Sequence, residues 1–365
     1  MNPGDVVELD VKVAALAEAL ESHRLGAIRL RGQDWFAWAT CGGSNAVLLA
    51  SETGIAEVFV DRDGVRVVTN EIESERLRTE EVPDRLPVVA FPWVDEPRID
   101  ELVSTGANLG SVASDIPGAG ERALPAELVA AKRRLLPAEI ERYRSVGRDA
   151  AEALTETLSR VVPGMSELEV AAVGAEALLR RGVDPALILV AGSRRMELYR
   201  HAPPTAEPIG DRVGVVFCGR RMGLYANLTR FAWFRPRTRD ERAAAEVVAM
   251  VEADAFDASR PGATLGSTFD VISRAYARLG HAGAELAHHQ GGTTGYRSRE
   301  VIARPDDPTM LATPLAVAWN PSLPAAKIED TVLVSDAGIE ILTADPSWPT
   351  VEVRGRARPD VLVRS

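Results

Sequence analysis

Apolar residues recur at helical spacing between Val11 and Leu25, with Val13, Leu16 and Leu20 on one face, and this predicts a helix near the start of the chain. Short β-rich runs follow. Ala27 to Leu30, Ala46 to Leu49 and Ala56 to Val60 each read as a strand. Asp61-Arg62-Asp63-Gly64 is a turn sequence, and Val65 to Thr69 returns as a hairpin partner. Glu71 to Glu80 reads as helix, Pro87 to Phe91 as strand and Pro97 to Ser104 as helix. Strands alternating with helices predict a small α/β domain over residues 1–123. Leu124 to Leu136 is a charged bridging helix, the linker over 124–136. Pro137-Ala138-Glu139 is a helix start, with Pro in the first turn and an acid near the positive end of the dipole. A second domain over 137–365 begins there. It opens with a long amphipathic helix, Ile140 to Val161, and a second helix, Ser166 to Arg181, capped by Ser166. Strands are expected around Leu187 to Ala191 and Val213 to Cys218, helices over Glu241 to Ser259 and Gly266 to Leu279, and strand and loop from Gly291 onward.

Composition narrows the function. A chain of 365 residues fits two domains, and 46% hydrophobic with 26% charged residues is an ordinary globular make-up. The net charge of -11, spread along the chain, argues against a nucleic-acid partner, which needs a basic face. Two cysteines, Cys41 and Cys218, are too few for a disulfide framework and fit a reducing, cytoplasmic setting. The N-terminus has no basic and apolar signal pattern, and no apolar run approaches the roughly 18 residues of a membrane span, so no membrane partner is expected.

Several segments carry a more specific pattern. Gly210-Asp211-Arg212-Val213-Gly214-Val215-Val216-Phe217-Cys218 is followed by Gly223-Leu224-Tyr225-Ala226-Asn227-Leu228-Thr229-Arg230. Then come Gly291-Gly292-Thr293-Thr294-Gly295-Tyr296, Arg299-Glu300, Trp319-Asn320-Pro321 and Lys327-Ile328-Glu329-Asp330-Thr331-Val332. In order and spacing these resemble the motifs of the aminopeptidase P, Xaa-Pro dipeptidase and creatinase family (peptidase family M24) over roughly residues 137 to 343. The resemblance implies an α/β (α+β) chain: a small creatinase-like N-terminal domain, then a pita-bread domain. In the peptidases of that family two Asp, one His and two Glu hold two divalent metals. Here those positions fall on Val216, Asn227, Gly292, Asn320 and Glu329, with the two Asp positions eleven residues apart as in the family. Only Glu329 keeps its type. A paired-metal site needs several anionic oxygens, so the chain is expected to hold no metal and no cofactor.

Creatinase, a member that works without metal, resembles this chain in lacking most of the ligands and in having an Arg-Glu pair after the Gly-containing loop. In creatinase a His ahead of the "GD" strand carries the proton. The matching segment is Arg200-His201-Ala202-Pro203, which makes His201 the first catalytic candidate. A His titrates near neutrality and can move one proton each way; the alternative is the substrate-binding role that the family's peptidases give this position. Glu329 is the second candidate, either orienting His201, accepting a substrate ammonium or activating water, or else a structural carboxylate paired to Arg230 or Lys327. In His288-His289-Gln290 alternation along a strand lets one His face the cleft. His289 is favoured, with Gln290 as the alternative; the competing reading is that both His residues are structural. Asn227, Glu300 and Asn320 are further substrate-binding candidates, Asn320 either as an oxyanion donor or as a turn cap before Pro321. Among Arg194, Arg195, Arg220 and Arg221 one Arg, with Arg221 preferred, could clamp a substrate carboxylate; the alternative, and the commoner case, is an exposed, solvated Arg. Cys218, in an apolar strand, is a poor nucleophile.

Three functions compete on this reading. The first is a metal-independent hydrolase of an amide-type or amidine C–N bond in a small amino-acid derivative or dipeptide, with His201 as acid/base. The second is a catalytically silent member whose cleft binds a peptide or protein partner. The third is an Xaa-Pro metallopeptidase. The family resemblance also implies a homodimer.

Overall fold

The computed structural model describes residues 3–95, 101, 102, 104, 105, 108 and 110–364, so the helix expected over 97–104 lies largely outside the described residues. Two compact units divide the chain, Met1–Ile140 and Glu141–Ser365.

The first unit is built on a six-stranded sheet: β1 (Leu25–Gly32), β2 (Thr53–Asp61), β3 (Gly64–Asn70), β4 (Val88–Phe91), β5 (Ser111–Ser114) and β6 (Arg122–Ala123), in the order β4-β3-β2-β1-β5-β6. The β2–β3 hairpin turns at the expected site, with Gly64 at φ +117° supplying the conformation that a side chain disfavours. The opening helix α1 (Pro3–Ser22) starts earlier than its apolar spacing indicated. The strand expected over Ala46 to Leu49 does not form. Those residues are a loop, with Val47, Leu48 and Leu49 exposed, whose carbonyls at Leu48 and Ser51 accept from the Gln33 amide. A short helix stands before it, α2 (Gln33–Ala39), with Trp35, Phe36 and Trp38 buried. Its aromatic run is too brief for a helical period to declare itself. Helix α3 (Glu71–Arg76) passes into a π turn at Leu77–Glu81, and α4 (Ala126–Arg133) ties Lys132 to Asp34 at 2.6 Å.

Helix α5 (Pro137–Arg160) begins in the last residues of the first unit and runs on into the second, where α6 (Glu167–Leu179) follows. Ser166 caps α6 as expected: its hydroxyl accepts from the Glu169 amide while the Glu169 carboxylate accepts from the Ser166 amide at 2.7 Å. A four-stranded sheet follows, of β7 (Asp184–Gly192), β8 (Arg212–Arg221), β9 (Leu224–Trp233) and the C-terminal β19 (Leu362–Val363), with the short helix α7 (Arg195–Leu198) between β7 and β8. Helices α8 (Arg239–Ala258) and α9 (Leu265–Arg278) lead to a five-stranded sheet. It contains β10 (Gly291–Thr294), β11 (Val301–Ile302), β12 (Leu315–Trp319), β15 (Asp330–Ser335) and β16 (Gly338–Ile341), in the order β11-β10-β12-β15-β16. Small hairpins β13 (Ser322–Leu323) with β14 (Ala326–Lys327), and β17 (Thr350–Val353) with β18 (Arg356–Pro359), complete it. Val251, Phe256, Ile272 and Tyr276 from α8 and α9 pack with Val317, Trp319 and Val332 of the sheet, all buried. Each such side chain contributes about 1.5–3 kcal/mol on leaving water. The two sheets meet where the Thr229 amide donates to the Glu329 carbonyl and the Asn227 amide to the Thr331 hydroxyl. Among the described residues no helix is long and apolar enough to cross a membrane.

Candidate active site

Three segments converge where the sheets meet. The first carries His201. The Glu167 carboxylate, buried at the start of α6, accepts from the Gly192 amide at 2.9 Å and from the Thr205 amide and hydroxyl at 3.0 and 2.9 Å, and it pairs with Arg195. Both ends of the 192–205 connection are thereby pinned, and the Ala202 carbonyl accepts from the Val190 amide. His201, exposed at its apex, is delivered by a fixed frame.

The second segment carries His288 and His289. Alternation led to the expectation that only one of them faces the cleft. Both rings lie against His201, at centroid separations of 4.7 Å for His288 and 5.5 Å for His289. The expectation fails because the pair sits in a bend ahead of β10, where period-two alternation does not apply. Gln290, the alternative, is fully buried and committed to structure. Its carbonyl oxygen accepts from the Tyr276 hydroxyl, and its amide donates to the His288 and Glu285 carbonyls. The Tyr276 hydroxyl also accepts from the Ser322 amide, so one phenol from α9 fixes the loop of the His pair.

The third segment carries Glu329, 2% exposed. One oxygen accepts from Arg299 at 2.6 Å; the other accepts from Lys327 at 2.9 Å and the Thr229 hydroxyl at 2.8 Å. Of the two partners the sequence offered, Lys327 is correct. Arg230 instead bonds the Glu329 backbone carbonyl and pairs with Asp330. Arg299 is the partner missed, though its Arg-Glu motif was visible. Burial alone would raise the Glu329 pKa, but Lys327 and Arg299 outweigh it and hold the carboxyl well below its ordinary range.

The same two cations act on the imidazoles. Burial, then Lys327, then Arg299 lower the His201 pKa, with Glu329 opposing. His289 is pushed down to about 4 by burial and Arg299, and His288 further by burial and Lys327. At neutral pH the three rings are uncharged. The Nε2 atoms of His201 and His288 are 3.0 Å apart, so one ring donates its proton to the other's lone pair.

Asn227 and Asn320 are buried. The Asn227 amide nitrogen donates to Thr294 at 3.0 Å, and the side-chain carbonyl oxygens of both Asn residues have no partner. The unpartnered oxygen of Asn320 is an acceptor. Buried oxygens of this kind are completed by water or by the N–H groups of a ligand. The four arginines weighed as carboxylate clamps are engaged elsewhere: Arg194 with Glu207, Arg195 with Glu167, Arg220 with Asp184, and Arg221 with Asp149, the Ser145 hydroxyl and the Arg181 carbonyl. Arg221 is structural, tying β8 to α5. Glu300 is half-buried, its amide bonded to the Thr293 carbonyl, and none of the bonds described ties its carboxylate to the His cluster. Cys218 is buried, and its thiol is pushed up to about 12, as expected of a non-nucleophile.

The donor set does not fit a two-metal centre. Val216 offers no lone pair, and both Glu329 oxygens are taken by cationic donors. Gly292, at φ +152°, has no room for a side chain, because a Cβ there would stand 2.0 Å from the Val301 carbonyl oxygen across the β10–β11 pairing.

Comparison with known proteins places this geometry. The profile of metallopeptidase family M24 matches residues 141–336. The Xaa-Pro dipeptidase of Pyrococcus furiosus is 26% identical over 315 residues, covering 80% of this chain and 88% of that protein. The prolidase of Pyrococcus horikoshii OT3 superposes with a TM-score of 0.78 at 19% identity, over 92% of this chain and 98% of its own. The dipeptidase PepE of Mycobacterium ulcerans gives 0.76 at 18% identity, over 98% of each chain. These structural likenesses bear out the expected mixed α/β fold, a pita-bread domain with a small N-terminal domain.

Proposed function

The chain belongs to metallopeptidase family M24, and from that premise we propose that it hydrolyses an amide-type or amidine C–N bond of a small amino-acid derivative or dipeptide without the family's two-metal centre. One observation carries this reading. Where the family's metals would neutralise carboxylates, Arg299 and Lys327 neutralise the single one left, beside three uncharged imidazoles.

The chemistry then falls to a proton carrier. His201 is the most exposed of the three rings and its pKa is lowered, so at neutral pH it is a free base. It takes a proton from the attacking water and returns it to the leaving nitrogen. The bond from water oxygen to the acyl or amidine carbon forms, the C–N bond breaks, and the imidazole ends as it began. Glu329, fixed as a carboxylate, favours the transient imidazolium, while Lys327 and Arg299 make the ring a ready donor. The unpartnered carbonyl oxygens of Asn227 and Asn320 suit the N–H groups of an amide or amidine.

The test is turnover of a panel of small amides, amidines and Xaa-Pro dipeptides by chelator-treated protein. Activity is expected to survive chelation and to fall at least about 100-fold in His201→Ala. Cleavage of Xaa-Pro dipeptides that appears only with added Mn²⁺ or Co²⁺ would overturn the proposal in favour of a metallopeptidase, as would full activity in His201→Ala.

A further inference from the structure

The three imidazoles have a capacity that proton transfer does not use. Their ring nitrogens lie within 4.8 Å of one another, and no carboxylate belongs to the set. Three ligands on a tetrahedral zinc-type ion, each about 2.0–2.1 Å from it, stand about 3.4 Å apart. The His201 to His288 separation of 3.0 Å is already close to that figure, and the wider separations, all within 4.8 Å, would have to shorten on binding. The Nδ1 of His288 lies 3.5 Å from the Ser322 hydroxyl, a contact that turns its Nε2 toward His201, as a metal-bound His is oriented through its other nitrogen. The Nδ1 of His289 is buried with no hydrogen-bond partner. Two separate frames hold the rings: Glu167 fixes the segment of His201, and Tyr276 and Gln290 fix that of the other two.

We propose that His201, His288 and His289 form a mononuclear site for one divalent transition-metal ion of the zinc type, with the fourth position open to water or an anion. The site is distinct from the family's: it uses imidazole nitrogens alone, on residues outside the five positions where Val216, Asn227, Gly292, Asn320 and Glu329 stand. Neutral imidazole is the form that ligates, and burial keeps His288 and His289 in it. Lys327 and Arg299 oppose an incoming cation and Glu329 offsets them, so the site selects for ions that bind nitrogen strongly over Mg²⁺ or Ca²⁺. A bound ion occupies the His201 lone pair and so silences the proton carrier. That consequence rests on the function proposed above; the binding itself does not.

The experiment is titration of the chelator-stripped, full-length protein with Co²⁺, followed by visible absorption, and with Zn²⁺, followed by calorimetry. Wild type is compared with His288→Ala, His289→Ala and Asn227→Ala, with circular dichroism confirming that each is folded. One ion per chain is expected, with the intense visible band of a tetrahedral Co²⁺ centre. Since losing a group that merely orients a ligand costs about 10–100-fold in affinity, losing a ligand costs about 100-fold or more. That loss is expected in both His variants and not in Asn227→Ala. His289, less buried than His288, supplies the variant that folds if the other does not. The proposal is overturned by the absence of both band and heat, or by binding that survives both His substitutions and vanishes in Asn227→Ala, which would put the ion at the family's position. Turnover measured on metal-free protein is a separate reading, so failure of the site and failure of the proton-carrier mechanism are told apart.

Discussion

Replacing Glu329 by Gln tests the claim that a cation pair has taken over the role of a metal. The substitution keeps shape and removes one negative charge. What remains is Lys327, 9% exposed, and Arg299, 13% exposed, facing an amide that can accept from only one of them. The amide NH₂ then opposes a donor. Breaking a buried ion pair by removing one partner costs about 3–5 kcal/mol, because the other charge stays desolvated. At about 2–4 °C per kcal/mol for a unit of this size, the melting transition should fall by roughly 10 °C. Scanning calorimetry reads this directly. Lys327→Met alone should cost less, since Arg299 still neutralises the carboxylate. The double variant should be more stable than the sum of the two losses implies, with a coupling of about 1–3 kcal/mol. The pH dependence has a definite sign. The folded pKa lies below the ordinary value of 4.5, so the carboxylate's contribution is complete above that pH and is lost as pH falls further. The wild-type advantage over Glu329→Gln should shrink on acidification through that range. A Glu329→Gln protein that melts within about 1 °C of wild type would refute the reasoning, because two unpaired cations at these exposures cannot be costless.

Gly292→Ala should cost more than about 3 kcal/mol, combining a disfavoured backbone angle with a contact 2.0 Å from a carbonyl oxygen. Gly338→Ala, also at positive φ but with open space around its Cβ, should cost only about 1 kcal/mol; denaturant unfolding of the two side by side isolates the clash. With its thiol pushed up to about 12, Cys218 carries roughly one thiolate in 10⁴ at pH 8. Peptide mass spectrometry after alkylation should find it unmodified in the native protein and fully modified in urea.

Much of this was legible in the chain. Helical spacing placed α1, α5, α6, α8 and α9, and the Ser166 cap was found where its residue types put it. The resemblance to the family's motifs is what set Val216, Asn227, Gly292 and Asn320 against its ligand positions. Other features were not legible. The loop of Val47 to Leu49 has the composition of a strand, yet it joins none of the sheets described, and its Leu48 carbonyl accepts from the Gln33 side chain instead. The His288-His289 pair was misread because alternation belongs to strands and the pair sits in a bend. Arg221 and Arg299 are alike as residues. Their fates differ because β8 delivers one to Asp149 while the turn after β10 delivers the other to Glu329. Pairing across long sequence separation is set by the fold, and local pattern does not carry it.

The motif Glu329-Asp330-Thr331 explains how the fold persists beside a site so altered. Its three side chains serve three different partners. Asp330 accepts from Arg230 at 2.8 Å, Arg358 at 2.6 Å and Thr343 at 2.6 Å, and Arg358 is held in turn by Glu252 at 2.7 Å, all of them buried. Thr331 exchanges bonds with the Asn227 backbone and so joins the two sheets. Both contacts are independent of any metal. Only Glu329, on the opposite face from Asp330, turns toward Arg299, Lys327 and the imidazoles. Alternation puts Asp330 on the face away from Glu329, while Thr331, on the same face as Glu329, bonds the Asn227 backbone. Val216, Asn227, Gly292 and Asn320 carry no carboxylate, so the buried charge of Glu329 needs a cation beside it. Arg299 and Lys327 supply that balance, and the calorimetric comparison of Glu329→Gln with the double variant measures it.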